Sequence, residues 1–473
     1  IGSSGNQGST YEIDQSIRFN DDDSPELTKT YSGAGSRTTQ TFSVWFKLGK
    51  AQSSSGFPFF NGGTGTSDTT WSGISIYDHK IYLQGYSTNW KITTRLLRDP
   101  SAWYHLVYIW DTTNSTASER VRLYINGQRE TDFSTDNNPG ASASSGIGQA
   151  AKHSIGYQSR AVGYGYADAY FAEMHYLDGY AYGPEYFGEF ESNGIWIPKE
   201  YTGSYGTNGF FIDGRDASDL GDDESGNGND FTASGLAAHD QMIDTPLNNF
   251  CTMNSAAKHT DSGFTISNGN LDLTRTAANN KGVYATIGLT TGKWYWEVRT
   301  QHGTSYNIEH GVIGEDAGYI ITGTDVSAGS RNSGYTIQMN TGDYYKYHGG
   351  SNSDTGVNAV SPSFQAFALD MDNNKIWFGY AADGDSSITW FESGDPAGGS
   401  NHIYALNDGS DTYYPCHNSS RGNGTQVARF NFGQDGSFAG EETATQTDSN
   451  GEGNFFFAPP SGFLAICTKN LSA

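Results

Sequence analysis

Cleaving a glycosidic bond takes two carboxyl groups held on either side of the scissile atom, and on one β-strand that means the alternating pattern Glu-x-Asp-x-x-Glu. No such run occurs in the 473 residues of this chain. Its acidic clusters, Asp21 to Asp23 and Asp219 to Glu224, read as loops in which water keeps each carboxylate ionised and unpaired. The chain also lacks a Gly-x-Ser-x-Gly elbow, a His-Glu-x-x-His pair, a P-loop and a Gly-x-Gly-x-x-Gly turn before a helix. Its 11 His are scattered, and His105, inside an aromatic run, reads as a strand residue and not as a ligand. The residues argue for binding, and no catalytic residue is expected.

Two kinds of binding chemistry remain. Between Asp213 and Asp230, carboxylates and amides stand at short spacing with Gly to curl the loop, which suits the hard oxygen shell of Ca²⁺. The ordered Asp-x-Asp-x-Asp-Gly loop is absent, so a solvated acidic loop is the competing reading; if a calcium site exists, its ligands are expected at Asp222, Asp223, Asn229 and Asp230. The other chemistry is aromatic. Trp71, Trp90, Tyr164, Tyr166, Tyr344, Tyr345 and Tyr347 fall beside Gly, Asn, Asp or Ser, where a ring can stack on the apolar face of a sugar while amides bond its hydroxyls. Such loops serve protein recognition as well, and the same rings could simply fill a core.

Holding rims of this kind in place requires a rigid scaffold, and the strongest signal for one runs from Trp103 to Trp110. That stretch has no helical spacing and is aromatic and β-branched throughout, which predicts a strand covered on both faces. Val121, Leu123 and Ile125 then alternate with Arg122, Tyr124 and Asn126, and Asn126-Gly127 supplies the positive φ of a tight turn. Shorter strands are expected at Ile13 to Phe19, Thr41 to Lys47, Ser72 to Gln84, Trp90 to Leu97 and Ala169 to Tyr176, with Gly183-Pro184-Glu185 opening a short helix. Further on, Lys293 to Val298 puts Trp294, Trp296 and Val298 on one face, and Asp372-Asn373-Asn374 joins two strands as a hairpin. With 61 Gly and 14% aromatic residues, the chain predicts an all-β protein of two tandem antiparallel β-sandwiches.

Arg98-Asp99-Pro100-Ser101-Ala102-Trp103-Tyr104-His105, followed by Asp111-Thr112-Thr113 and Leu123-Tyr124-Ile125-Asn126-Gly127, resembles the laminin G and concanavalin A-like lectin sandwich. More narrowly, it is similar to the version found in tail-fibre and other structural proteins of marine bacteriophages. The resemblance implies concanavalin A-like jelly rolls, and a Ca²⁺ near a loop rim of the kind that Asp223-Glu224-Ser225-Gly226-Asn227-Gly228-Asn229 could form. The second half resembles the SPRY domain through Gly292-Lys293-Trp294-Tyr295-Trp296-Glu297-Val298, Leu369-Asp370-Met371-Asp372 leading to Ile376-Trp377-Phe378, and Asn431-Phe432-Gly433. The expected organisation is a linker or arm at 1–10, the first sandwich at 11–205, an acidic connecting segment at 206–262, the SPRY-like sandwich at 263–440 and a closing segment at 441–473.

Charge narrows the partners. The 52 Asp and Glu against 27 Lys and Arg leave a net charge of −25, which argues against nucleic acid and against anionic membranes. No run approaches the apolar length of a membrane-spanning helix, so no membrane insertion is expected. Three cysteines, Cys251, Cys416 and Cys467, cannot make a disulfide framework and are expected to be buried. The chain starts at Ile1, which predicts a processed end or a piece of a longer polypeptide. The resemblance implies a structural protein of a virion surface (a tail fibre, spike or capsid fibre) that attaches to a host-surface glycan or receptor without catalysis, meets other virion subunits and is open to forming a homotrimer. An adhesin secreted by or displayed on a marine bacterium, a polysaccharide-degrading enzyme and a purely architectural decoration protein are the alternatives.

Overall fold

The apolar run from Trp103 is buried on both faces for a reason the structure makes plain. In a computed structural model, which describes residues 11–50, 55–158, 165–258, 264–276, 281–304, 306–322, 327–340, 342–420, 424–443 and 446–471, Trp103–Asp111 lies between Thr39–Leu48 and Val121–Ile125. Leu106, Tyr108 and Trp110 point into the main core, whereas Val107 and Ile109 point outward under a separate cover. The expected strand is therefore present, with different partners on its two sides.

The chain divides into two units, 1–249 and 250–473. Among the described residues the first is built around two large antiparallel sheets, beside a small two-stranded one. One runs Gln128–Arg129, Val121–Ile125, Trp103–Asp111, Thr39–Leu48, Ala169–Asp178, Ser16–Phe19, Gln241–Met242, with Phe210–Ile212 also pairing on Ala169–Asp178. The other runs Phe133–Asp136, Asn89–Thr93, Lys80–Gly85, Ser72–Tyr77, Gly56–Gly62, Lys152–Ile155, Glu26–Thr30, Thr232–Ser234. Their facing sides share a core rich in Phe, Ile and Leu. The hairpin after Ile125 turns through Asn126 (φ 49°) and Gly127 (φ 73°), as the Asn-Gly pair predicts. A Cβ on Gly127 would also lie 2.4 Å from the Trp196 ring, so glycine is required there twice over.

The second unit repeats the architecture. Its sheets run Met253–Lys258, Lys281–Ala285, Tyr414–Ser420, Asn307–Ile313, Gly334–Asn340, Asp343–His348, Ser351–Asn358, and Phe264–Ser267, Asp272–Arg275, Gln426–Asn431, Lys293–Gln301, Ser363–Asp370, Lys375–Ala382, Thr389–Trp390. Trp294, Trp296 and Val298 enter its core together, as their alternation requires. The hairpin at Asp372 to Asn374 forms with Asp370 opposite Lys375. The three cysteines are buried, as expected. No helix among the described residues is long and apolar enough to cross a membrane.

The segment at 206–262 is not the connection its composition suggests. Phe210–Ile212, Thr232–Ser234 and Gln241–Met242 are strands of the first unit, and two buried ion pairs fasten their far end. Lys47 Nζ meets Asp244 Oδ2 at 2.7 Å, and Arg18 Nη2 meets Asp240 Oδ1 at 3.3 Å. The division between units falls at Asn249 and Phe250, and Met253–Lys258 already belongs to the second. The stretch reads as an acidic connecting segment because the cationic partners of its carboxylates lie about 200 positions away, 197 for Lys47 and Asp244. The expected arm at 1–10 lies outside the described residues.

Candidate functional site

Past Asp178 the chain turns back over the outer face of the first sheet, where Val107, Ile109 and Leu177 would otherwise meet water. A buried hydroxyl pins the start of this cover: Thr41 donates to the Tyr180 carbonyl at 2.9 Å and accepts from the Tyr182 amide at 3.0 Å. Pro184–Tyr186 then forms a single 3-10 turn with proline leading, where its fixed φ and missing N–H cost nothing. Gly188–Phe190 and Trp196–Pro198 make a small hairpin, and Trp196 Nε1 donates to His105 Nδ1 at 3.0 Å. That contact leaves His105 Nε2 to donate to Ser43 Oγ at 2.8 Å, and burial drives the imidazole pKa down to about 3. His105 is a neutral structural side chain, in line with its sequence reading.

The cover carries aromatic rings in two tiers. In the lower tier Phe187 stacks on Tyr201 with centroids 5.1 Å apart, and the Tyr201 hydroxyl donates to Ser204 O at 2.8 Å. Tyr205 pairs with His175 Nδ1 at 3.0 Å; His175 Nε2 lies 3.3 Å from Glu173, which also accepts from Tyr11 at 2.6 Å. In the upper tier Tyr182 and Tyr186 stack at 4.3 Å and 10°, and Tyr186 is 43% exposed. Beside this pair opens a cleft of about 430 Å³ lined by Tyr182, Glu185, Tyr186, Lys199, Glu200 and Thr202. The hydroxyls of Tyr182 and Tyr186 and the carboxylates of Glu185 and Glu200 make no hydrogen bond to other described residues. Lys199 is engaged: its ammonium donates to Glu185 O at 3.3 Å and lies 3.9 Å from Glu189.

The residues singled out in the sequence are not gathered in one place. Trp71 and Tyr344 are buried, at 2% and 1% exposure, so neither ring face is available to a ligand. The Trp71 ring packs over Gly73, and Tyr344 donates to Ser363 Oγ at 3.2 Å. Trp90 lies half-buried against the core, edge-on to Trp110 at 5.7 Å. Tyr166 is half-buried and stacks on Tyr157 at 4.3 Å. Tyr345 and Tyr347 are half-buried on Asp343–His348 in the second unit. Tyr164 lies outside the described residues.

Of the four residues expected to ligate calcium, Asp223, Asn229 and Asp230 are joined to one another, mainly through the backbone. Asp223 accepts from the amides of Phe211 (2.9 Å), Ser225 (3.0 Å) and Asn229 (2.7 Å) and from the Ser225 hydroxyl (2.9 Å). Asn229 donates to Thr207 O and Gly209 O, and Asp230 accepts from the Asp223 amide at 3.2 Å. Asp222 is half-buried, with its pKa raised by burial and by Asp230. Among the described residues no three His, Cys, Asp or Glu side chains gather as a metal would need. The Asp223 lone pairs sew the loop 223–229 to the strand Phe210–Ile212.

A second cluster lies in the second unit. Glu297 is fully buried and takes the Phe456 amide at 3.1 Å, the Phe457 amide at 2.8 Å, Asn431 Nδ2 at 3.1 Å and the Tyr295 hydroxyl at 3.1 Å. Burial outweighs these four donors and pushes its pKa up to about 7. It clasps the closing segment onto the sheet.

The architecture is that of antiparallel β-sandwich modules. Residues 20–171 match the family model described as "Concanavalin A-like lectin/glucanases superfamily". Among solved structures the chain is similar to the TRIM65 PSpry domain (13% identity, 38% of this chain, 88% of that one, TM-score 0.29). It is similar as well to the SPRY domain of human HERC1 (15% identity, 38% and 96%, TM-score 0.26) and to stonustoxin (14%, 38% and 28%, TM-score 0.28). No curated protein matches the sequence. Of the aromatic cover at 180–205, sequence reasoning singles out only the short helix opened by Gly183-Pro184-Glu185; the signal that could have found its site is Tyr180, Tyr182 and Tyr186 spaced around Gly183-Pro184.

Proposed function

We propose that this protein is a non-catalytic attachment module whose first unit binds a host-surface glycan. The observation that carries the reading is the stacked pair of half-buried Tyr182 and exposed Tyr186 at the lip of a cleft whose carboxylates and phenol hydroxyls make no hydrogen bond to other described residues. An aromatic face with free acceptors at its edge suits a pyranose ring, apolar on its C–H face and polar around its rim. The resemblance to marine bacteriophage tail-fibre and structural proteins supports placing the chain on a virion surface, beside other virion subunits. There a homotrimer would multiply weak contacts into avidity. The family model covering residues 20–171 supports the lectin class. Glycan-array and host-cell binding, with and without a chelator, tests the ligand class and any role for Ca²⁺ together. Absence of binding at high protein concentration defeats the proposal.

One observation favours a second reading: Glu185 and Glu200 share the cleft, and a pair of carboxylates is what glycoside hydrolysis needs. Both are exposed, without the apolar enclosure that keeps a general acid protonated. Release of reducing ends from a polysaccharide that the protein binds, abolished by Glu185→Gln or Glu200→Gln, would establish that reading.

A further inference from the structure

We infer that the cleft at Tyr182 and Tyr186 accepts the uncharged, hydroxyl-rich end of a saccharide and rejects sugars bearing carboxylate or sulfate. This rests on the attachment reading and narrows it to one ligand class and one site. The cleft volume, about 430 Å³, lies within the roughly 300–1,000 Å³ of small-ligand sites. Its platform is rigid: Phe187 and Tyr201 underlie it, Thr41 holds both sides of the Tyr180–Tyr182 turn, and Pro184 opens the turn that carries Tyr186. A preorganised ring pair adds little ordering cost on binding.

Charge sets the selection. The polar side-chain groups of the cleft that make no hydrogen bond to other described residues are two carboxylates, two phenols and the Thr202 hydroxyl. Carboxylates can only accept, so they take sugar O–H or N–H donors in charge-assisted bonds and repel an anion brought beside them. The cation that could offset that repulsion, Lys199, is turned to Glu185 O and Glu189. The chain's net charge of −25 adds a field of the same sign.

The test is binding of the full chain to immobilised saccharides ending in a neutral hexose or N-acetylhexosamine, in sialic or uronic acid, or in a sulfated sugar. The wild type is expected to bind neutral ends and to leave the anionic ones. Tyr186→Ala should weaken neutral binding about tenfold while Tyr186→Phe retains it, since the ring face and not the hydroxyl makes the stack. Glu200→Lys, at an exposed position that leaves the core untouched, should admit the anionic probes. An unchanged thermal transition shows that each variant is folded. Neutral binding indifferent to Tyr186→Ala would remove the site while leaving glycan attachment standing. Wild-type preference for sialylated or sulfated probes, lost in Tyr186→Ala, would overturn the selection. Failure to bind any saccharide or host surface would take down both this inference and the attachment reading.

Discussion

Single side chains in this molecule hold whole segments, and Glu297 shows how that becomes sensitive to pH. Its folded pKa, about 7, lies above the ordinary 4.5, so between those values the folded chain keeps a proton that the unfolded chain has released. The stabilisation is complete below about pH 4.5 and is lost as pH rises through 7, to the extent of about 3 kcal/mol. His310 and His417, buried 3.3 Å apart with pKa values lowered by burial, act in the opposite sense and lose stability as pH falls below about 6.5. The Glu297 contribution is therefore read as a difference. Glu297→Gln should make the slope of unfolding free energy against pH more positive between pH 4.5 and 7 than in wild type, and superimposable slopes would refute the assignment. Thr41 invites a second comparison. Thr41→Val removes both bonds to the Tyr180–Tyr182 turn and should cost about 1–2 kcal/mol in thermal or chemical unfolding. Saccharide affinity should fall as well, because the platform loses its anchor.

At the scale of elements, the acidic stretch after residue 206 teaches the most. Asp244 is fully buried, paired with Lys47 and accepting from Trp103 Nε1 at 3.0 Å, so it joins the last strand of the first sheet to two of its central ones. Asp244→Ala strands a buried ammonium, and a loss of about 3–5 kcal/mol is expected for the first unit in denaturant unfolding. A change below about 1 kcal/mol would mean that Lys47 finds water. The strands themselves were largely readable. Trp103 to Trp110 announced a doubly covered strand, Asn126-Gly127 a turn, and Trp294, Trp296 and Val298 a shared face, because each rests on a local period or a local φ requirement. Reading 206–262 as an acidic connecting segment missed its strands and the boundary at Asn249, because carboxylates paired with distant cations look the same in sequence as carboxylates paired with water.

For the molecule as a whole, charge governs which partners come near. With −25 spread over the chain, polyanions should be repelled, so no retention is expected on heparin or duplex DNA at physiological salt. Binding that weakens steeply as salt rises would reveal a basic face hidden in that total. Each unit has its own large core, with Phe42, Phe60 and Phe171 in the first and Trp296, Phe367 and Phe430 in the second. Residues 11–249 and 250–471, produced separately, should each unfold in its own cooperative transition. Failure of either to fold would show that the division at Asn249 cuts through a shared core.

The order of residues alone determined that this is an all-β chain of sandwiches and where several hairpins turn, since alternation and turn chemistry are local quantities. Which aromatic rings face outward was decided only in three dimensions. Trp71 and Tyr344 sit beside polar residues yet lie buried, whereas Tyr186 is left outside because Thr41, 139 positions before Tyr180, pins the turn that lifts it. Exposure is a property of what packs above a side chain, and in a sheet assembled from distant strands those covering atoms come from far along the chain.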